Sequence, residues 1–139
     1  YDLPKIKMEQ HLTTQACTIK GDSTMLRQVL HNLLQNAQDA LAGKESPVIS
    51  VSTENVNGML VLTLQDNGGG FSADMMPHIF EPYMTSKPHG TGLGLAIVKK
   101  IIDEHRGSIK IENVSGNNGV ALGATVTISI PLFIEAAMN

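Results

Sequence analysis

A single cysteine, Cys17, is the whole thiol inventory of this 139-residue chain. An internal disulfide and a cysteine metal cluster are therefore excluded. Cys17 falls in an extended stretch of mixed polarity and reads as a small core residue. Basic charge is equally sparse: ten Lys and Arg against 13 Asp and Glu leave a net charge of −3, and the cations are scattered. That argues against a basic face for nucleic acid or for an anionic membrane. No apolar run approaches the roughly 18 residues a membrane span needs, and no secretory leader is recognisable. Repeats and low-complexity linkers are missing too. What is left, at 42% hydrophobic and 17% charged residues, is the composition of an ordinary globular domain. The length suits one domain over residues 1–139, enough to bury about two-thirds of its unfolded surface. The start at Tyr1-Asp2-Leu3-Pro4 is abrupt, and a piece of something longer is expected.

Periodicity orders the chain. Short strands are expected at Lys5 to Leu12 and Ala16 to Lys20. Gly21-Asp22-Ser23 gives a turn and a helix N-cap. From Thr24 to Ala42, Leu26, Leu30, Leu33, Ala37 and Leu41 recur at helical spacing until Gly43. Two β-rich runs, Pro47 to Glu54 and Met59 to Gln65, flank Asn57-Gly58, a hairpin signal. A short helix is expected after Ser72. Another, carried by Leu93, Ala96, Ile97, Lys100, Ile101 and Glu104, closes at Gly107, where the dipole accounts for His105. Strands at Ser108 to Asn113 and Val120 to Pro131 finish the chain around Gly116-Asn117-Asn118-Gly119. Paired strands beside three helices predict an α+β fold, with helices layered on one face of a mixed sheet.

Three segments carry chemistry. Asn32 and Asn36, four apart, share one helix face, with Gln28 and Asp39 extending the strip. Such a strip serves as a solvated flank, or it offers the Asn36 amide oxygen to a Mg²⁺ ion completed by phosphate and water, with Asn32 near the phosphates. Asn in mid-helix costs helix stability, which favours a binding role. Asp66 ends a strand and precedes Asn67 and three glycines. That is either a turn or a carboxylate at a pocket floor, and a carboxylate, which only accepts hydrogen bonds, suits the exocyclic amine of adenine and not the carbonyl of guanine. The third segment runs from Phe80 to Leu95. It sets Lys87 before Gly90, Gly92 and Gly94 at every second position, just where an amphipathic helix begins. A glycine loop feeding a helix N terminus offers backbone N–H groups to phosphate. Lys87 is either a phosphate contact or a solvated loop charge.

Together these segments resemble a known series. Asn32-Leu33-Leu34-Gln35-Asn36-Ala37, Asp66-Asn67-Gly68-Gly69-Gly70-Phe71, Ile79-Phe80-Glu81-Pro82-Tyr83 and Gly90-Thr91-Gly92-Leu93-Gly94-Leu95 look like four boxes of one family. They are the N, G1, F and G2 boxes, in that order, of the ATP-binding catalytic domain of bacterial sensor histidine kinases. The likeness runs from about Asp22 to Pro131, and the short stretch from Phe80 to Lys87 looks most like the nitrogen-regulation sensor kinases. It implies the Bergerat fold, a two-layer α/β sandwich with a mostly antiparallel mixed sheet and three helices on one face. It implies ATP and Mg²⁺ as cofactors, with Asn36 on the metal, Asn32 on phosphate and Asp66 on adenine. Gly68 and Gly70 would shape the adenine pocket. Lys87, Gly90, Thr91, Gly92, Leu93, Gly94 and Leu95 would form the lid and its phosphate contacts, with Phe80 packing the lid base. Gly69 stands where the family usually has proline, and Arg106 where it often has glycine.

The resemblance implies a kinase that passes the γ-phosphoryl group to a histidine. None of His11, His31, His78, His89 and His105 lies in the family's acceptor context. The acceptor is thus expected on an upstream dimerisation domain, with a response regulator as indirect partner and no nucleic acid or direct membrane contact. The parent would be a cytoplasmic or membrane-anchored homodimer, and this piece alone a monomer. Hydrolases of the same fold, the gyrase, chaperone and mismatch-repair groups, place a glutamate four residues before the metal asparagine. Here that position is Asn32, which has no lone pair basic enough to activate water. A serine-directed kinase and a catalytically silent nucleotide sensor remain as rivals. A dinucleotide-binding reading fails, because the glycines alternate as GxGxG outside any parallel βαβ unit.

Overall fold

The computed structural model describes residues 6–14, 18–83, 92–116 and 121–133. Five strands form one sheet: β1 (Lys7–His11), β2 (Val48–Val56), β3 (Met59–Asp66), β4 (Ser108–Ser115) and β5 (Ala121–Pro131), in the order β1-β2-β3-β5-β4. Only β1 and β2 run parallel. The β2–β3 hairpin turns at Asn57 (φ 51°) and Gly58 (φ 79°), two left-handed residues whose twist matches that of the strands. Helix α1 (Ser23–Ala40) starts at Asp22, whose carboxylate accepts from the Met25 N–H at 3.0 Å. Helix α2 (Gly94–Glu104) packs beside it.

Strand alternation puts Ile49, Leu62, Leu64, Val126, Ile128 and Ile130 under the helices. Val29, Leu33, Ala37, Val98, Ile101 and Ile102 come down onto them from α1 and α2, giving the expected two-layer α+β sandwich. The layer holds two α-helices among the described residues, not three. The segment after Ser72 makes only a 3₁₀ turn at Met76–His78. Pro77 is the reason: it has no N–H to return to the Ala73 carbonyl, so a helix begun at Ser72 cannot run through it. Thr18 to Lys20 are not in a strand, although the Thr18 carbonyl accepts from the Phe133 N–H at 2.7 Å. Cys17 lies outside the described residues.

His105 does more than sit in the dipole of α2. Its Nδ1 donates to the Ile101 carbonyl (2.7 Å), and its Nε2 accepts from the Asp22 N–H (3.1 Å), so the end of α2 is tied to the start of α1. Gly21 lies against the ring, where an added Cβ would come within 2.6 Å of it. Arg106, at φ 59°, terminates α2, and the Gly107 N–H reaches back to the Ile102 carbonyl at 2.9 Å. The glycine the family prefers at position 106 is thus the residue this left-handed stop suits best.

Candidate nucleotide site

A cleft of about 170 Å³ opens between the helix layer and the ends of β3 and β5. Leu33, Ala37, Leu64, Ile111 and Val126 make it apolar, while Asn36, Asp39 and Asp66 supply its polar atoms. Two faces of the sequence pattern therefore converge, the asparagine strip of α1 and the aspartate at the end of β3.

Asp66 is the one charged side chain buried among the described residues, at 6% exposure. Its carboxylate accepts from the Gly68 N–H at 2.9 Å. Burial pushes its pKa above the ordinary aspartate range, and backbone hydrogen bonds from Gly68 and Ala124 only partly offset that. A buried acceptor at the floor of an apolar cleft is suited to a donor group on a largely apolar ligand.

The loop after Asp66 is held at both ends by asparagine amides. At its start, Asn67 accepts from the Val48 N–H (2.8 Å) and donates to the Ser46 carbonyl (2.9 Å). At its end, Asn113 of β4 accepts from the Phe71 N–H (2.8 Å) and donates to the Phe71 carbonyl (2.7 Å). Between them Gly68 packs on the backbone of Ala40, where a Cβ would stand 2.5 Å from the carbonyl oxygen. Gly70 has φ 72° and lines the cleft. Around Gly69 there is open space, which leaves room for the proline usual in the family.

Asn36 is half-buried and lines the same cleft as Asp66, whereas Asn32 faces α2. The Asn32 amide accepts from Gln28 (2.9 Å) and donates to the Gly94 carbonyl (3.2 Å). Asp39 accepts from Gln35 at 3.2 Å. Leu95 reaches the cleft, and Leu93 and Gly94 form the start of α2, which none of the described side chains caps. Gly92 has φ 74°, and its carbonyl accepts from the Tyr83 N–H at 2.8 Å. Lys87, Gly90 and Thr91 lie outside the described residues, as does His89. Among the described residues no cluster of three or more His, Cys, Asp or Glu could hold a metal by itself. A Mg²⁺ ion would fit only as part of a metal–phosphate unit, with the Asn36 oxygen as protein ligand.

Sequence reasoning missed Asn113 and Gly123. The signal for the first is a polar residue on the inward phase of Ile109 and Ile111. For the second it is a glycine inside a strand. Gly123 has φ 146°, and a Cβ there would sit 1.9 Å from the Asp66 carbonyl oxygen.

A two-layer sandwich with a buried aspartate at the end of a central strand, an asparagine-bearing helix across the cleft and a glycine-led second helix defines a class of ATP-binding domain. The chain belongs to the family of histidine kinase-, DNA gyrase B- and HSP90-like ATPases, whose pattern it matches over residues 21–134. It is 42% identical over 106 residues to the C4-dicarboxylate transport sensor protein DctB of Rhizobium meliloti, covering 76% of this chain and 17% of that protein. To the sensor histidine kinase ZraS of Salmonella typhi it is 39% identical over 114 residues, 82% of this chain and 23% of the relative. The chain thus spans about a quarter or less of the curated relatives it matches. Among solved structures, the nucleotide-free catalytic domain of histidine kinase ThkA superposes with a TM-score of 0.77 at 32% identity, covering 91% of this chain and 80% of that one. These relatives do not single out the nitrogen-regulation subgroup.

Proposed function

We propose that this chain is the ATP-binding catalytic domain of a sensor histidine kinase and supplies the nucleotide for phosphorylation of a histidine on a separate dimerisation domain. The observation that carries the reading is the buried Asp66 carboxylate at the floor of a cleft that Asn36 also lines. Asp66 accepts the adenine amine; Gly70 and Phe71 flank the base. Asn36 would hold Mg²⁺, which when bound draws charge from the phosphates, while the start of α2 and Asn32 sit by the triphosphate. Gly92 and Leu93, which lead into α2, would add to the phosphate contacts there. Transfer is in line: a nitrogen–phosphorus bond forms to the acceptor imidazole as the bond to the β,γ-bridging oxygen breaks, and ADP leaves with that electron pair. This chain contributes positioning and charge stabilisation, as is general for phosphoryl transfer, and the proton acceptor comes from the other domain.

Hydrolysis by the gyrase-type route has no support at position 32, where the amide is engaged with Gln28 and Gly94. The relatives named as sensor kinases, and a solved complex of ThkA with response regulator protein TrrA, point to a receiver domain as the next partner. The site's need for ATP supports a place in the cytoplasm. The test is γ-labelled ATP with a histidine-bearing dimerisation domain supplied in trans. Acid-labile, alkali-stable label on that domain is expected, and no label on this chain alone. Free phosphate as the only product would instead identify a hydrolase.

A further inference from the structure

We infer that Asn113 is a positioning residue for the nucleotide base, because its one carboxamide clamps both backbone groups of Phe71 and so fixes the wall of the cleft. The inference rests on the adenine reading of Asp66. Asn113 pairs with Ala124 across β4–β5, and Ala124 pairs with Asp66 across β3–β5. Residues paired directly opposite each other point to one face of a sheet, so Asp66, Ala124 and Asn113 form a single rung beneath the cleft. From that rung Asp66 addresses the ligand and Asn113 addresses the loop. The loop needs such an anchor, since three successive glycines give it no side chains of its own and a large conformational freedom to lose. A carboxamide fits the task chemically: it presents an acceptor and a donor in one plane, matched to the N–H and C=O of a single residue. The Asn113 oxygen also stands 2.8 Å from where a Cβ on Gly70 would lie, so clamp and glycine fit together.

The test compares wild type with Asn113→Ala and Asn113→Asp. The aspartate variant keeps the volume and the acceptor but turns a second oxygen towards the Phe71 carbonyl, and it carries the comparison should the alanine variant fail to fold. Affinities for ATP and GTP are measured with and without Mg²⁺, alongside amide exchange at Phe71. In the alanine variant, which loses both hydrogen bonds to Phe71, faster exchange there is expected with ATP affinity down about tenfold; in the aspartate variant the lost donor and the repulsion between oxygens should lower ATP affinity in the same sense but by less. The preference for ATP over GTP should shrink by a similar factor, while the enhancement by Mg²⁺, set at Asn36, stays as in wild type. An ATP-to-GTP preference equal to that of wild type would overturn the inference while leaving the adenine site standing. Should wild type bind no ATP, or bind GTP equally well, the adenine reading falls and this inference with it.

Discussion

Asp66 sets ligand recognition against the stability of the ligand-free chain. Its carboxylate is buried, and its pKa is raised by that burial. A raised acid is stabilising while protonated, so this group's contribution is full below the ordinary aspartate value and is lost as pH rises through the higher folded value. Asp66→Asn keeps the acceptor for the Gly68 N–H and removes the buried charge. The variant should melt at or above the wild-type temperature at neutral pH, with a flatter pH dependence, while its preference for ATP over GTP disappears; thermal scans from pH 3 to 8 and nucleotide titrations check both. Asn36→Ala should leave the melting temperature nearly unchanged and weaken Mg²⁺-dependent ATP binding by at least about tenfold, or ~1.4 kcal/mol, in calorimetry. The glycines separate just as sharply. Gly123→Ala must relieve a 1.9 Å approach at a left-handed φ and should cost on the order of 3 kcal/mol in denaturant unfolding, whereas Gly69→Ala, in open space, should stay within about 0.5 kcal/mol of wild type. The place of Asp66 at the end of a strand was legible in the sequence because strand, acid and glycines are contiguous. Asn113 and Gly123 were not, since their contacts, with Phe71 and Asp66 respectively, join residues more than 40 positions apart.

At the scale of elements, local signals read well and non-local ones did not. Asp22 as a cap, the helically spaced leucines of α1 and the Asn57-Gly58 turn all act within a few residues, and each formed where expected. The parallel pairing of β1 with β2 depends on a partner some 40 positions away. The helix expected after Ser72 was undone by Pro77. Helix α2 ends less favourably than it could, since Arg106 occupies φ 59° without the freedom of glycine. Arg106→Gly should therefore raise stability by about 0.5–1 kcal/mol, read as a higher denaturant midpoint at unchanged slope. Nucleotide affinity should not move, because this turn lies at the opposite end of α2 from the glycine loop.

For the whole molecule, ligand and fold are linked by mass action. ATP at a hundred times its dissociation constant should add about 2.7 kcal/mol, a melting shift on the order of 10 °C for a domain of this size. The pairing of Asp66 with Ala124 gives that shift a kinetic side. It joins residues 58 positions apart in a sheet whose neighbouring interior strands, β3 and β5, are separated in sequence by the whole of α2 and β4. Such a contact closes a long loop, and that entropic cost should delay its formation on the way to the native state. A nucleotide that needs both strands has nothing to bind before they meet. Stopped-flow measurements should accordingly find that ATP leaves the refolding rate untouched and lowers the unfolding rate almost by the full equilibrium factor. The bound domain would then persist for longer without being made any faster.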